Sequence, residues 1–579
     1  MKKHYETYVE DTDKLISVAG PVLDYKSWYE QYRKLMEEQA QRKHGLYTPT
    51  SEGDDDFPSI PGMIARYSAS GLTNEQMAAN PVWVDKTGNG HDLQMKNFAW
   101  KEGSGISDVY LGALVFDGVD DYGVCENFPI LTKEKGYTVV ALRQWISMGE
   151  GISGLVSNVK NWFNDGAFVL EYNRNNATNK FVNRPVSFGK VSIEMDLPNN
   201  FTYQTSKSYK GVPITTGSFK GTNSLSVGKL NNIIGNYSNV AIWELVFLDH
   251  DATEEELTKI KDYFVKTYPW LFPDQAWTVV GKTNEDEDRA TIANITGNGN
   301  DLVLSNFGFA EGSGYGLYAQ NYISYLITNN AVYKKTNSSI HVTKSIKAGV
   351  NFTESARNVT IPSYRIKVTG IQSGQEMIYR GSRNTFLTNI PSDGIYVLPA
   401  VENGSDLGFQ FVSYTGDCDI TIEQIPEYEG YLITDGVDDE IISAKLIQFA
   451  DKFTIVGDWK FMEDRNDNAG LLKSNQIYIY NATTGMRIYL KQGSKNYPFS
   501  YKKINALTSD GWVYDEKWDK YKVYPIGSDI DISSRLFLGF YSSNFTKIAL
   551  KNLGIYNDQL LSKDDCIKAY NYLQTLKAK

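Results

Sequence analysis

Cysteine is nearly absent from this 579-residue chain, and its three copies, Cys125, Cys418 and Cys566, lie far apart. They form no CxxC pair, and an odd number leaves at least one thiol unpaired within the chain. That argues against a disulfide-built scaffold and fits a reduced compartment. Histidine is also scarce: His4, His44, His91, His250 and His341 are never closer than 40 residues, so no local metal-ligand motif is present. No apolar run approaches the roughly 20 residues that a membrane-spanning helix needs. The N-terminus, Met1-Lys2-Lys3-His4-Tyr5-Glu6, lacks the apolar stretch of a signal peptide, so export by the general secretory route is not expected. Positive charge is in deficit, with 58 Lys and Arg against 69 Asp and Glu, a net charge of −11 and a pI near 5.2. A nucleic-acid partner would require a basic face to replace counterions, so none is expected.

Aromatic and turn residues are abundant instead: 39 Tyr, 26 Phe, 11 Trp and 48 Gly. Aromatic and β-branched residues fill pleated, half-buried surfaces, and Gly, Asn and Asp supply the turns between them. Tyr137–Leu142 and Phe453–Gly457 read as strands bounded by turn residues. The expected class is all-β. The length suggests two to four domains.

The chain also repeats itself. Thr87-Gly88-Asn89-Gly90-His91-Asp92-Leu93, Asn97-Phe98 and Glu102-Gly103-Ser104-Gly105 recur at identical offsets. The second set is Thr296-Gly297-Asn298-Gly299-Asn300-Asp301-Leu302, Asn306-Phe307 and Glu311-Gly312-Ser313-Gly314. Each copy continues to Asp-Gly-Val-Asp-Asp, at 117–121 and 435–439, and ends in a strand and a helix whose starts are Thr253-x-x-Glu256 and Ser562-x-x-Asp565. Thr87 to Asp117 spans 30 residues and Thr296 to Asp435 spans 139, so the second copy carries about 109 extra residues, enough for a domain. Alternation at Tyr364, Ile366 and Val368, and the run Ile420, Ile422 and Ile425, give that insertion strands of its own. The resulting division is 1–62 as an N-terminal helical arm and linker, 63–272 as the first repeat, 273–321 with 427–579 as the second, and 322–426 as a small inserted β domain.

In the arm, Tyr25, Trp28, Tyr29, Tyr32, Leu35 and Met36 fall on one face of a helix that Gly45 ends. That stripe either packs on the chain's own first β domain or docks on a partner subunit. These six are the candidate docking residues.

The order Trp83-x-Asp85-x-Thr87-Gly88-Asn89-Gly90, Ala113–Tyr122, Leu225-x-Val227-Gly228 and a closing strand and helix resembles the laminin-G-like, concanavalin A-like jelly roll. The resemblance covers both copies and implies tandem jelly-roll sandwiches. The variant with Asn-Gly-Asn-Asp-Leu, Asn-Phe and a domain entered near Ile361-Pro362-Ser363-Tyr364 and left through Ile422–Pro426 is similar to virion proteins of crAss-like phages of gut Bacteroidetes. It implies a non-enzymatic tail, fibre or capsid-surface component, released by lysis, with other virion proteins and further copies of itself as partners.

Two rival functions belong to the same fold. An adhesin would stack host surface glycans on exposed rings, with Trp100, Trp145, Trp162, Trp512 and Trp518 available. A glycan-degrading enzyme would need paired carboxylates. Glu194-Met195-Asp196 is the nearest match, but Asn199 stands where the second glutamate of a laminarinase-like Glu-x-Asp-x-x-Glu would fall. No catalytic residue is assigned. The two Asp-Gly-Val-Asp-Asp segments read as tight turns, with calcium binding the alternative; no other cofactor is expected. Glu285–Asp288 reads as a solvated loop, expanded relative to Val84–Lys86.

Overall fold

The computed structural model describes residues 56–578, apart from short interruptions, the longest being 160–167, 175–180, 185–190, 193–199, 214–220, 231–236, 463–468, 497–503 and 523–532. The six candidate docking residues and the Glu194–Asp196 carboxylates lie outside the described residues. The described body is the compact unit Ile60–Lys579. It is all-β, as the aromatic and turn-residue content requires, and it contains three apolar cores.

The first core lies between two eight-stranded antiparallel sheets. One runs, in spatial order, Val212–Pro213, Ser208–Tyr209, Phe201–Thr205, Thr138–Ser147, Asn239–Leu248, Ala113–Asp117 and Gly105–Ser107, with Met63–Ser68 also on Asn239–Leu248. The other runs Val191–Ser192, Phe181–Arg184, Val169–Arg174, Ile152–Val159, Gly221–Val227, Tyr122–Cys125, Leu93–Lys96 and Val82–Trp83. Tyr67, Phe116, Val139 and Phe247 from the first sheet meet Trp83, Leu93, Val156 and Leu225 from the second. Continuous apolar runs such as Thr138–Leu142 are buried throughout, because the helix Glu254–Thr267 and the segments around it cover the outer face.

The second repeat builds the same object strand for strand. Its sheets run Gly314–Tyr315, Leu432–Ile433, Ile548–Asn557, Phe453–Phe461, Ile504–Thr508, Trp512–Asp515 and Lys520–Lys522, with Gln275–Thr278 on Ile548–Asn557, and Thr291–Ile292 through Gly493–Asn496 in the matching order. Even an irregularity is copied. Arg143 pairs with Ile242 and Leu142 with Glu244, so Trp243 is bulged out; Trp459 pairs with Leu550 and Asp458 with Asn552, so Lys551 is bulged out. A bulge at the same rung of the same strand is an inherited feature of the sheet's bend.

The added segment lies between Gly314–Tyr315 and Leu432–Ile433, which pair directly as Gly314↔Ile433 and Tyr315↔Leu432. Its ends therefore meet within one strand spacing. Strands from Ile327–Thr328 to Gly416–Ile425 form sheets separate from both sandwiches, around a core that includes Ile340, Ile366, Tyr379, Phe409 and Ile422. The alternation read at Tyr364–Thr369 is buried-exposed along its whole length.

Three α-helices are described: α1 (Asn74–Ala79), α2 (Glu254–Thr267) and α3 (Lys563–Gln574). Thr253 caps α2 with a reciprocal box to Glu256, and the Ser562 hydroxyl accepts from the Asp565 amide at the start of α3. Glu285–Asp288 proves to be equivalent to the start of α1, not to Val84–Lys86. Asn74 and Asn284 make the same two bonds, to the backbone of Ile106 and of Tyr315, and Thr73 and Thr283 each receive the cap of the residue three further on. The second copy keeps the cap without the helix.

Candidate functional site: twin acidic turns, a buried ion pair and a junction cleft

The repeated motifs converge on one corner of each sandwich. Asp117 Oδ1 accepts from the amides of Val119 (2.7 Å) and Asp120 (3.2 Å), and Asp121 Oδ2 accepts from the Asp117 amide at 3.0 Å. Asp435 and Asp439 repeat this at 2.7, 3.3 and 2.7 Å. Gly118 and Gly436 both sit at φ +78°, the left-handed region such a turn demands. The Asn97 and Asn306 side chains donate to the carbonyls of Asp120 and Asp438, at 3.0 and 2.9 Å. Ser313 Oγ donates to Asp439 Oδ1 at 3.0 Å. The motifs that repeat in sequence are thus the parts of one hydrogen-bonded corner, made twice.

Among the described residues, Asp117, Asp120 and Asp121, and Asp435, Asp438 and Asp439, are the acidic or metal-ligating groups close enough to share a cation. One oxygen each of Asp117, Asp121, Asp435 and Asp439 accepts from backbone amides, which is the bonding of a turn, while Asp121 Oδ1 is buried without a hydrogen bond. Burial pushes the carboxyls of Asp121 and Asp439 up to about 6, against the pull of their hydrogen bonds.

A second cluster lies inside the first sandwich and was not anticipated. Arg143 and Glu171 form an ion pair at 2.6 Å, both fully buried. Trp145 Nε1, Thr202 Oγ1 and Tyr209 Oη also donate to the Glu171 carboxylate, at 3.0, 2.6 and 2.7 Å. Burial alone would raise Glu171, but the Arg143 guanidinium and these donors outweigh it and hold the carboxyl at about 2. Glu171 sits at φ +56°, a costly conformation for a glutamate, kept by the bonds it makes. By strand register Arg143 and Trp145 occupy the rungs of Trp459 and Phe461, which are plain buried core in the second sandwich. The sequence did carry a signal: one arginine inside the apolar run Thr138–Trp145 needs a buried partner.

The third feature is a cleft of about 630 Å³ where the two sandwiches meet, lined by α2, the connecting segment Leu271–Asp274, Asn557–Gln559 and Tyr572 of α3. The junction beside it is hydrogen-bonded. Asn200 Nδ2 donates to Leu271 O (2.7 Å) and Tyr572 Oη (2.9 Å), Gln144 Nε2 to Thr575 Oγ1 (3.0 Å), and Tyr556 Oη to Trp270 O (2.9 Å).

The tryptophans considered for sugar stacking are occupied otherwise. Trp145 is buried in the ion-pair cluster, Trp100 stacks on Phe98 against the core, Lys520 covers the Trp512 ring at 3.6 Å, and Trp518 meets Tyr570 edge-on. Trp162 lies outside the described residues. The three cysteines are unpaired. No helix among the described residues is long and apolar enough to cross a membrane.

The chain is thus a protein of antiparallel β-sheets, with two like sandwiches and an inserted third β unit. No family model and no curated protein matches it. Among solved structures, Trypanosoma rangeli sialidase with sialic acid is 12% identical over 36% of this chain and 36% of its own, at a TM-score of 0.25. This chain therefore spans about a third of the sialidase's length. The binding domain of botulinum neurotoxin DC, solved with rat synaptotagmin II, is 9% identical over 86% of this chain and 99% of its own, at a TM-score of 0.27. At these TM-scores neither likeness carries a fold, an activity or a ligand over to this chain.

Proposed function

We propose that the protein is a non-enzymatic structural component of a phage virion, a tail, fibre or capsid-surface part, attached by its N-terminal arm and displaying the sandwiches and the inserted domain. The resemblance of the repeated motifs to those of crAss-like phage virion proteins suggests the setting. The observation that supports a scaffold over a catalyst is the use made of the buried charges. Arg143 with Glu171, Arg66 with Glu244, and the buried Asp121 and Asp439 of the two turns are each bonded into the fold. An enzyme aims such groups at a substrate instead. The inserted domain enters and leaves the second sandwich between two directly paired strands, an arrangement suited to outward display.

Its partners in this reading are other virion proteins and further copies of itself, and its place is the particle. The test is proteomics and cryo-EM of purified particles, with truncation before Ile60, the buried residue that begins the compact unit. The truncated protein should fold yet fail to enter particles, and Trp28→Ser with Tyr32→Ser should do the same less completely. Entry at wild-type occupancy would move attachment to the sandwiches. Release of reducing sugar from host capsule by the full chain would make it an enzyme.

A further inference from the structure

The geometry points to the junction cleft as a binding site for a neutral, hydroxyl-rich ligand, a short oligosaccharide. This goes beyond the structural role and holds whether or not the protein sits in a virion.

The cleft's volume of about 630 Å³ is in the range of small-molecule sites. Two of its lining residues bury amide oxygens that accept no hydrogen bond: Oδ1 of Asn200, a residue only 2% exposed, and Oε1 of Gln559. Neither amide can turn over without loss. Asn200 spends its NH2 on Leu271 O and Tyr572 Oη, and Gln559 spends its NH2 on Phe272 O at 3.3 Å. Buried acceptors without donors are rare in folded proteins; these two lie just behind the cleft wall, out of contact with solvent, and leave acceptor potential on that wall.

The rest of the lining adds acceptors. Asp262, Asp274 and Asp558 contribute carboxylates and Lys261 the one ammonium. Asp558 is held at φ +56° beside Gln559. A ligand matching this wall brings several donors and at least one acceptor for Lys261. Sugar hydroxyls do both, whereas a polyamine would meet Lys261 with like charge. Phe201 and Phe272, both half-buried at the cleft, offer apolar surface to the C–H face of a pyranose ring.

The experiment uses the full chain on a printed array of neutral and acidic oligosaccharides, followed by calorimetric titration of the strongest neutral binder, with spermidine in parallel. Thr258→Trp fills the cleft from an exposed position on α2 and should weaken sugar binding at least tenfold with an unchanged melting temperature. Asp558→Asn, which tolerates the left-handed backbone, should weaken it several-fold. The site assignment is overturned if no array glycan binds, or if a glycan binds equally well to Thr258→Trp. Spermidine binding in preference to every sugar would overturn the ligand class. None of these outcomes bears on whether the protein is present in particles.

Discussion

At the scale of single residues, the acidic turns make two separable predictions. Gly118 carries positive φ, and a Cβ there would approach Asn239 Cβ to 2.9 Å; at Gly436 it would meet the Lys547 amide nitrogen at 3.0 Å. Valine at either position is expected to cost on the order of 1–3 kcal/mol, read from denaturant midpoints. EDTA should leave the wild-type melting temperature unchanged, whereas a fall restored by calcium would place a cation among the three aspartates. The second prediction is a pH dependence. Asp121 and Asp439 titrate near 6 when folded, above the value of about 3.9 expected for an unfolded chain. Their contribution is therefore full below about pH 4 and is lost as pH rises through about 6. Glu171, held at about 2, contributes in the opposite sense, fully above about pH 4.5 and lost as pH falls through about 2. Thermal stability should decline between pH 4.5 and 7, and Asp121→Asn with Asp439→Asn should flatten that slope. An unchanged slope in the double variant would mean that other groups set it.

At the scale of elements, the comparison of the two sandwiches is a natural double experiment. The same strand rungs hold Arg143 and Trp145 in one and Trp459 and Phe461 in the other, so the fold does not need the charges. A buried pair is costly to break from one side and often dispensable as a whole. Arg143→Met alone is expected to cost about 3–5 kcal/mol, since it leaves Glu171 buried without its cation. Arg143→Met with Glu171→Met should recover most of that in a denaturant-melt cycle. If the double variant is as unstable as the single one, the tyrosine and threonine hydroxyls around Glu171 carry the region. The inserted unit provides the other test at this scale. Because Gly314 and Tyr315 pair directly with Ile433 and Leu432, replacing 322–426 by a short Gly/Ser bridge should leave both sandwiches folded, by circular dichroism and a cooperative melt. Aggregation of that variant would make the segment integral to the second sandwich.

At the scale of the whole molecule, the two sandwiches are joined through buried polar contacts rather than a solvated linker. Asn200, Gln144 and Trp270 on the first side meet Tyr572, Thr575 and Tyr556 on the second. A junction of this kind couples unfolding, so calorimetry should record the sandwiches melting together. Tyr572→Phe with Gln144→Ala removes two of the bonds, at about 1 kcal/mol each, and should broaden or split that transition. A wild-type profile already split in two would mean that the junction contributes little coupling.

The sequence alone was enough for the β class, the duplication and the place of the added segment, because these follow from local chemistry. Turn residues, alternation and helix caps act over a few positions, and a repeat exposes itself by its offsets. It also led to the turn reading of the two Asp-Gly-Val-Asp-Asp segments, since Asp and Gly at those positions favour it in any context. What the tertiary structure alone decided is contact between residues remote in sequence: that Asn97, Asp117 and Asp121 share one corner, that Arg143 finds Glu171, and that Asn200 reaches Tyr572 across 372 positions. Such pairs are fixed by strand register and sandwich packing, in which each strand's partner is chosen by the whole sheet. The junction cleft is the extreme case. It is lined by pieces of both repeats, so no single segment of the chain encodes it.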